Sequence, residues 1–149
     1  MEFNEEFTLP SSMNLGLPFD FITPDIPTNS EYAFSDNNTN KDLIESIQLR
    51  QIVLTILDPT DSDFSFLKSV KVYIDAEDLD EVLIASKSDI PDEIGNKLEL
   101  ELENVELQQY IKKDEFKLRV ETVTDEVFSP DHKINVYSKF FVDAKLLGV

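Results

Sequence analysis

Between residues 98 and 103 leucine and glutamate alternate without a break. On an extended chain this puts Leu98, Leu100 and Leu102 on one face and Glu99, Glu101 and Glu103 on the other, whereas a helix would scatter them around its circumference. The segment therefore predicts a strand buried on one side. The same period of two runs through Val70, Val72, Ile74 and Ala76, and through Phe116, Leu118, Val120 and Thr122. Its longest stretch holds Ile134, Val136, Phe140, Val142, Ala144 and Leu146. Ile52 to Leu57 is apolar at nearly every position, which predicts a central strand covered on both faces, and residues 81–87 give a weaker strand.

The first 40 residues read differently. Four of the seven prolines (Pro10, Pro18, Pro24, Pro27) fall there, and each removes a backbone donor and fixes φ, so a long helix is excluded. Phe3, Phe7, Leu9, Phe19, Phe21 and Ile22 still punctuate the segment. Edge strands are expected near 3–9 and 19–23, since proline is tolerated at sheet edges. The polar run from Ser35 to Asn40 predicts a loop between this leader and the body.

Helical signals are short. Thr39 or Asn40 is placed to cap a turn carrying Leu43, Ile44 and Ile47, and Asn104 one carrying Leu107, Tyr110 and Ile111. Seven or eight strands with one or two helical turns predict an all-β fold: a two-sheet antiparallel β-sandwich, immunoglobulin-like in its leading version, with a closed barrel as the alternative. The 149 residues suit one domain, with residues 1–40 as an extended acidic leader on a body of residues 41–149.

Charge narrows the partners. Thirty-one acidic residues stand against 13 basic ones, a formal net charge of -18, which repels phosphate backbones and excludes nucleic acid as a natural partner. The leader holds seven of the acids and no Lys or Arg. No cysteine is present, which removes disulfides, thiol nucleophiles and thiolate metal sites. No stretch of the sequence is apolar enough for a transmembrane segment.

The inventory of reactive groups is thin, and no catalytic residue is assigned. His132 is the single histidine and sits in a turn-like Ser-Pro-Asp-His run, so an exposed turn histidine is expected there. Carboxylate pairs for a hydrolase arise by chance among so many acids. Calcium is the one cofactor the sequence suggests: Asp58, Asp61 and Asp63 in one turn, and Asp75, Asp78 and Asp80 in another, offer the hard oxygen ligands it takes, although neither turn has the EF-hand pattern. Phe64 and Phe66 are expected to plug one end of the sandwich. Phe140 and Phe141 must face opposite ways, with the leader expected to cover the outward one.

The segments Asp63 to Ile74, Leu118 to Glu126 and Val136 to Lys145 resemble, in order, an uncharacterised group of cell-envelope proteins of Gram-negative bacteria. Those proteins look like lipoproteins with a signal peptide and a short β-sandwich domain. The resemblance implies an envelope location, outer-membrane or periplasmic, and no chemistry. The start at Met1-Glu2-Phe3 lacks a signal peptide and a lipobox cysteine, so the expectation is that signal and anchor precede this sequence, with a cytoplasmic protein as the alternative. The sequence thus points to a non-enzymatic structural or interaction module whose partner is an unknown protein or envelope component. A calcium-dependent binding module is the second reading and a carboxylate-pair hydrolase the third.

Overall fold

The computed structural model describes residues 1–147. Strands carry most of the chain: β1 (Glu2–Leu9), β2 (Phe19–Ile22), β3 (Ile26–Pro27), β4 (Ile44–Asp58), β5 (Leu67–Asp75), β6 (Val82–Ser88), β7 (Lys97–Glu99), β8 (Glu101–Leu102), β9 (Glu115–Thr124) and β10 (His132–Ala144). Two short helices, α1 (Ser30–Asp36) and α2 (Gln108–Ile111), complete the regular structure. One antiparallel sheet has the order β1-β10-β4-β7, the other β2-β9-β5-β6-β8 with β3 also on β9. The protein is an all-β sandwich.

The alternating residues do what their period requires. In β9, Phe116, Leu118, Val120, Thr122 and Thr124 point inward and are buried, while Glu115 and Lys117 are exposed. In β10 the inward set is Ile134, Val136, Ser138 and Phe140. Removing each such aliphatic or aromatic side chain from water contributes about 1.5–3 kcal/mol, and facing rows from the two sheets form one continuous core.

Three expectations need correction. The leucine-glutamate run is two strands: β7 pairs with β4 in the first sheet and β8 pairs with β6 in the second. The Leu100 N–H still bonds Ile52 in the first sheet at 3.0 Å, while the Glu103 N–H bonds Ile84 in the second at 2.9 Å. The alternation survives the crossing only through Leu100, and Leu102 is left 39 % exposed. β4 is central by hydrogen bonding, between β10 and β7, but only one of its faces is buried. Ten strands form where about eight were expected, because this run divides and the leader adds β3.

The leader enters both sheets. β1 lies along β10 over its whole length, and β2 and β3 lie along β9. Phe3 meets Phe116 and Phe140 edge-on at 5.1 and 5.8 Å, and Phe7 stacks on Phe21 at 5.0 Å. Spent on the core, the leader does not reach Phe141, which is 51 % exposed with the Arg50 guanidinium 4.6 Å over its ring. Phe64 and Phe66 are buried in a 3-10 turn as expected, and Phe66 stacks on Phe128 at 4.5 Å.

The polar run before β4 is the end of a helix. Asn38 adopts φ 58°, and the N–H groups of Thr39 and Asn38 bond the carbonyls of Phe34 and Ser35 at 2.9 and 3.1 Å. This paired closure, with asparagine in the left-handed position, is a Schellman motif. Asn40 then caps the 3-10 turn Lys41–Leu43 through the Asp42 N–H. Seven residues with one buried aromatic leave no helical period to read.

Candidate functional site

Neither acidic turn is assembled as a cation site. Asp58 ends β4, Asp61 is exposed in the turn that follows, and Asp63 accepts the Ser65 N–H at 2.9 Å as the cap of a 3-10 turn. The hydroxyl and N–H of Ser65 together hold the Asp63 carboxyl below its ordinary range. Asp75 ends β5 opposite Lys117, and Asp78 sits exposed at φ 63°. Asp80 contributes its carbonyl to the Tyr110 hydroxyl. Among the described residues, no three His, Asp or Glu side chains converge on a common metal position. A cleft of about 320 Å³ does gather Asp25, Asp75, Glu77 and Glu115. Lys117 also lines it, and its ammonium lies 3.7 Å from the Asp25 carboxylate.

His132 overturns the expectation of an exposed turn histidine. As the first residue of β10 it is 2 % exposed, with the rings of Phe128 and Phe66 at 5.0 and 5.1 Å. Its Nδ1 lies 2.7 Å from the Pro130 carbonyl, which assigns the proton there, so Nε2 accepts the Ser62 hydroxyl at 2.6 Å. An imidazole beside a serine hydroxyl is the arrangement that activates a nucleophile. Here the aromatic rings bury the base, and neither the α1–β10 cleft nor the Asp25–Lys117 cleft includes Ser62 or His132. The pair closes one end of the sandwich.

The best-formed cleft, about 580 Å³, lies where α1 meets the far half of β10. Both ends of α1 are fixed. Thr28 and Ser30 are buried and donate to the carbonyls of Lys113 (2.5 Å) and Lys112 (3.4 Å), while Thr39 donates to the Lys145 carbonyl at 2.5 Å. Phe34, 2 % exposed, anchors the helix between them. Ala33 and Phe34 therefore form one wall, and Phe140, Val142 and Ala144 the other. Met1 and Lys139 close one end, Asn37 and Thr39 the opposite end.

Beside this cleft β1 runs along β10. Met1 is the last residue alongside β10: its amine donates to the Phe140 carbonyl at 2.9 Å, and the Phe140 N–H donates to the Met1 carbonyl at 2.7 Å. Past Phe140, β10 keeps β4 on one side. Among the described residues no strand lies on the other.

The edge of β4 is closed. The Ile47 N–H of β4 donates to Glu106 Oε2 at 2.9 Å, and the Ile47 carbonyl accepts the Leu107 N–H at 2.8 Å. Burial alone would raise the Glu106 carboxyl. The N–H groups of Ile47, Gln108 and Leu107 and the Ser46 hydroxyl outweigh it and hold the group low. Asn104, expected to cap α2, is not its cap; Glu106 meets the Gln108 N–H instead, at 2.9 Å. On the outer face of the second sheet Arg119 lies 2.7 Å from Glu81, 3.2 Å from Asp20 and 3.3 Å from Glu121. It also stacks on Tyr73 at 4.1 Å, tying β2 and β9 to the loop before β6.

The cleft was not singled out from sequence, although Val142, Ala144 and the Phe140–Phe141 step that border it were. No local signal marks it, because it forms where α1 packs beside β10, residues far apart in sequence. No family model matches the chain, and no curated protein shows significant similarity to it.

Proposed function

We propose that this protein is a non-enzymatic interaction module of the cell envelope and that the cleft between α1 and β10 is its binding face. One observation carries the binding face: a largely apolar cleft of about 580 Å³ opens between α1 and β10. Clefts with apolar walls and a few directed polar groups are where ligands and partner segments bind. The envelope location draws its support from the resemblance of residues 63–74, 118–126 and 136–145 to envelope lipoproteins. The acidic surface suits a module that stays soluble while exposing sheet edges.

The test is a photo-cross-linker placed at Ala33 on the cleft wall or at Lys71 on the outer face of the second sheet, in cells expressing the native gene. Adducts from position 33 and none from position 71 are expected. No adduct at 33, or equal adducts at both, overturns the binding face. Fractionation of the same cells tests location, and a wholly cytosolic protein overturns the envelope assignment.

A further inference from the structure

We propose that the outer face of the first sheet is a further binding site, separate from the α1–β10 cleft, and that its ligand is an uncharged oligosaccharide. Strand register carries the inference. Two rungs run Asn4–Tyr137–Val53–Glu99 and Glu6–Asn135–Thr55–Lys97 across β1, β10, β4 and β7, and Gln51 opposes Lys139 on the next rung. Val136, Ile52 and Leu54, which alternate with them, are buried in the core, so these side chains lie on the opposite face. Its centre, formed by Asn4, Asn135, Tyr137, Gln51, Val53 and Thr55, carries no charge, in a chain where 30 % of the residues are charged and the net charge is -18. At its margin Glu2, Glu6 and Glu99 stand against Lys97 and Lys139 and nearly cancel. A neutral field of this kind suits a ligand without charge.

The side chains at the centre have capacity to spare. Tyr73 and Phe141, aromatic rings on the outer faces of the two sheets, are each covered by a guanidinium, Arg119 at 4.1 Å and Arg50 at 4.6 Å. Among the described residues no cation covers Tyr137. Its hydroxyl donates to Glu2 Oε1 at 2.6 Å, one rung away on β1, so the ring leans across the sheet from β10 toward β1. The electron-rich face of such a ring receives the C–H groups of a sugar, with Val53 beside it. Around it, Asn135 Nδ2 donates to Asn4 Oδ1 at 3.0 Å and Gln51 Nε2 to Glu99 Oε1 at 3.4 Å. Each side-chain amide holds two donor hydrogens and an acceptor. The Asn4 NH2 group and the Asn135 and Gln51 carbonyl oxygens therefore remain for sugar hydroxyls, which both donate and accept. The bonds already made hold these amides in place and lower the cost of binding. Four strands at about 4.8 Å spacing make the face about 14 Å wide, which accommodates a short run of sugar rings.

The experiment is an NMR titration of the full chain. The neutral probes are cellotetraose, chitotetraose and mannotetraose, and the anionic one is tetragalacturonate. At least one neutral probe should shift the Tyr137, Asn135 and Val53 backbone amides and the Asn4 side-chain NH2, while the Ala33 amide in the α1–β10 cleft stays unmoved. Tetragalacturonate should bind about tenfold more weakly than that probe. Tyr137→Ala should weaken binding about tenfold. Should that variant fail to fold, Asn135→Asp keeps the shape of the side chain, places a charge at the centre of the face and should weaken binding about fivefold. Silence with all three neutral probes overturns the inference, and so do shifts confined to the α1–β10 cleft. Tetragalacturonate binding as tightly as the neutral probes overturns the uncharged ligand. A folded Tyr137→Ala that binds as the parent does overturns the aromatic platform.

Discussion

Ile47 and Val142 face each other on one rung of the first sheet and meet opposite fates. Both direct their backbone groups away from the rung. For Ile47 the chain supplies a substitute strand, a carboxylate from Glu106 and an amide from Leu107, and the residue is wholly buried. For Val142 it supplies a helix wall with a cleft in between. A third edge, β1, is protected in another way: Glu5 lies on its inward face between Phe3 and Phe7, and burial raises its carboxyl above the ordinary range. An inward charge on an edge strand discourages pairing with another copy. Edges are thus closed by geometry at β4 and guarded by charge at β1, while the stretch at Val142 has neither device.

Substitutions at four positions break or sharpen this contrast. Phe34→Ala removes the anchor of α1 and should cost about 3–5 kcal/mol, with hydrogen exchange showing α1 and the 38–41 turn opening together; an unchanged melting temperature would mean that α1 does not depend on its aromatic. Glu106→Ala leaves the buried Ile47 N–H without an acceptor, at about 1–3 kcal/mol. Because the Glu106 carboxyl is held below its ordinary value, its contribution is present above that ordinary value and is lost as pH falls through the lowered folded value. Thermal melts of parent and Glu106→Gln should therefore converge on acidification, and a constant gap would contradict this. Val142→Pro should cost less than about 1 kcal/mol by chemical denaturation, because its N–H serves no internal bond. A loss as large as that of Glu106→Ala would show that the edge is closed after all.

The smallest effect is at Glu5. Its raised carboxyl penalises the folded state at neutral pH, and the penalty fades as pH falls through the raised folded value and is gone below the ordinary one. Glu5→Gln should therefore stabilise by a few tenths of a kcal/mol after solvent screening, a gain visible at pH 7 and absent in acid. If Glu5 also guards the edge, the variant will self-associate in sedimentation experiments where the parent does not.

The strands were legible wherever a single face is buried, because period two then writes itself into the residue types: Phe116 to Thr122 and Ile134 to Phe140 needed no structure. The Leu98–Glu103 run shows the limit, since alternation fixes which residues share a face but not which sheet that face belongs to. His132 shows another. A turn-like Ser-Pro-Asp-His sequence looks solvent-exposed until Phe66, more than 60 residues away in sequence, folds over the ring. The acidic turns were legible as acidic and no further, because a cation site needs side chains to converge, and Asp63 is spent on a local cap.

By itself the sequence determined the all-β sandwich, the inward row of each long strand and the acidic character of the chain, because periodicity and net charge are local or additive properties. Only the tertiary structure decided how β1 registers against β10, which edge Glu106 closes and where a cleft remains. Those depend on pairing register between Met1 and Phe140 and between Ile47 and Val142, partners far apart in sequence whose meeting no local pattern encodes.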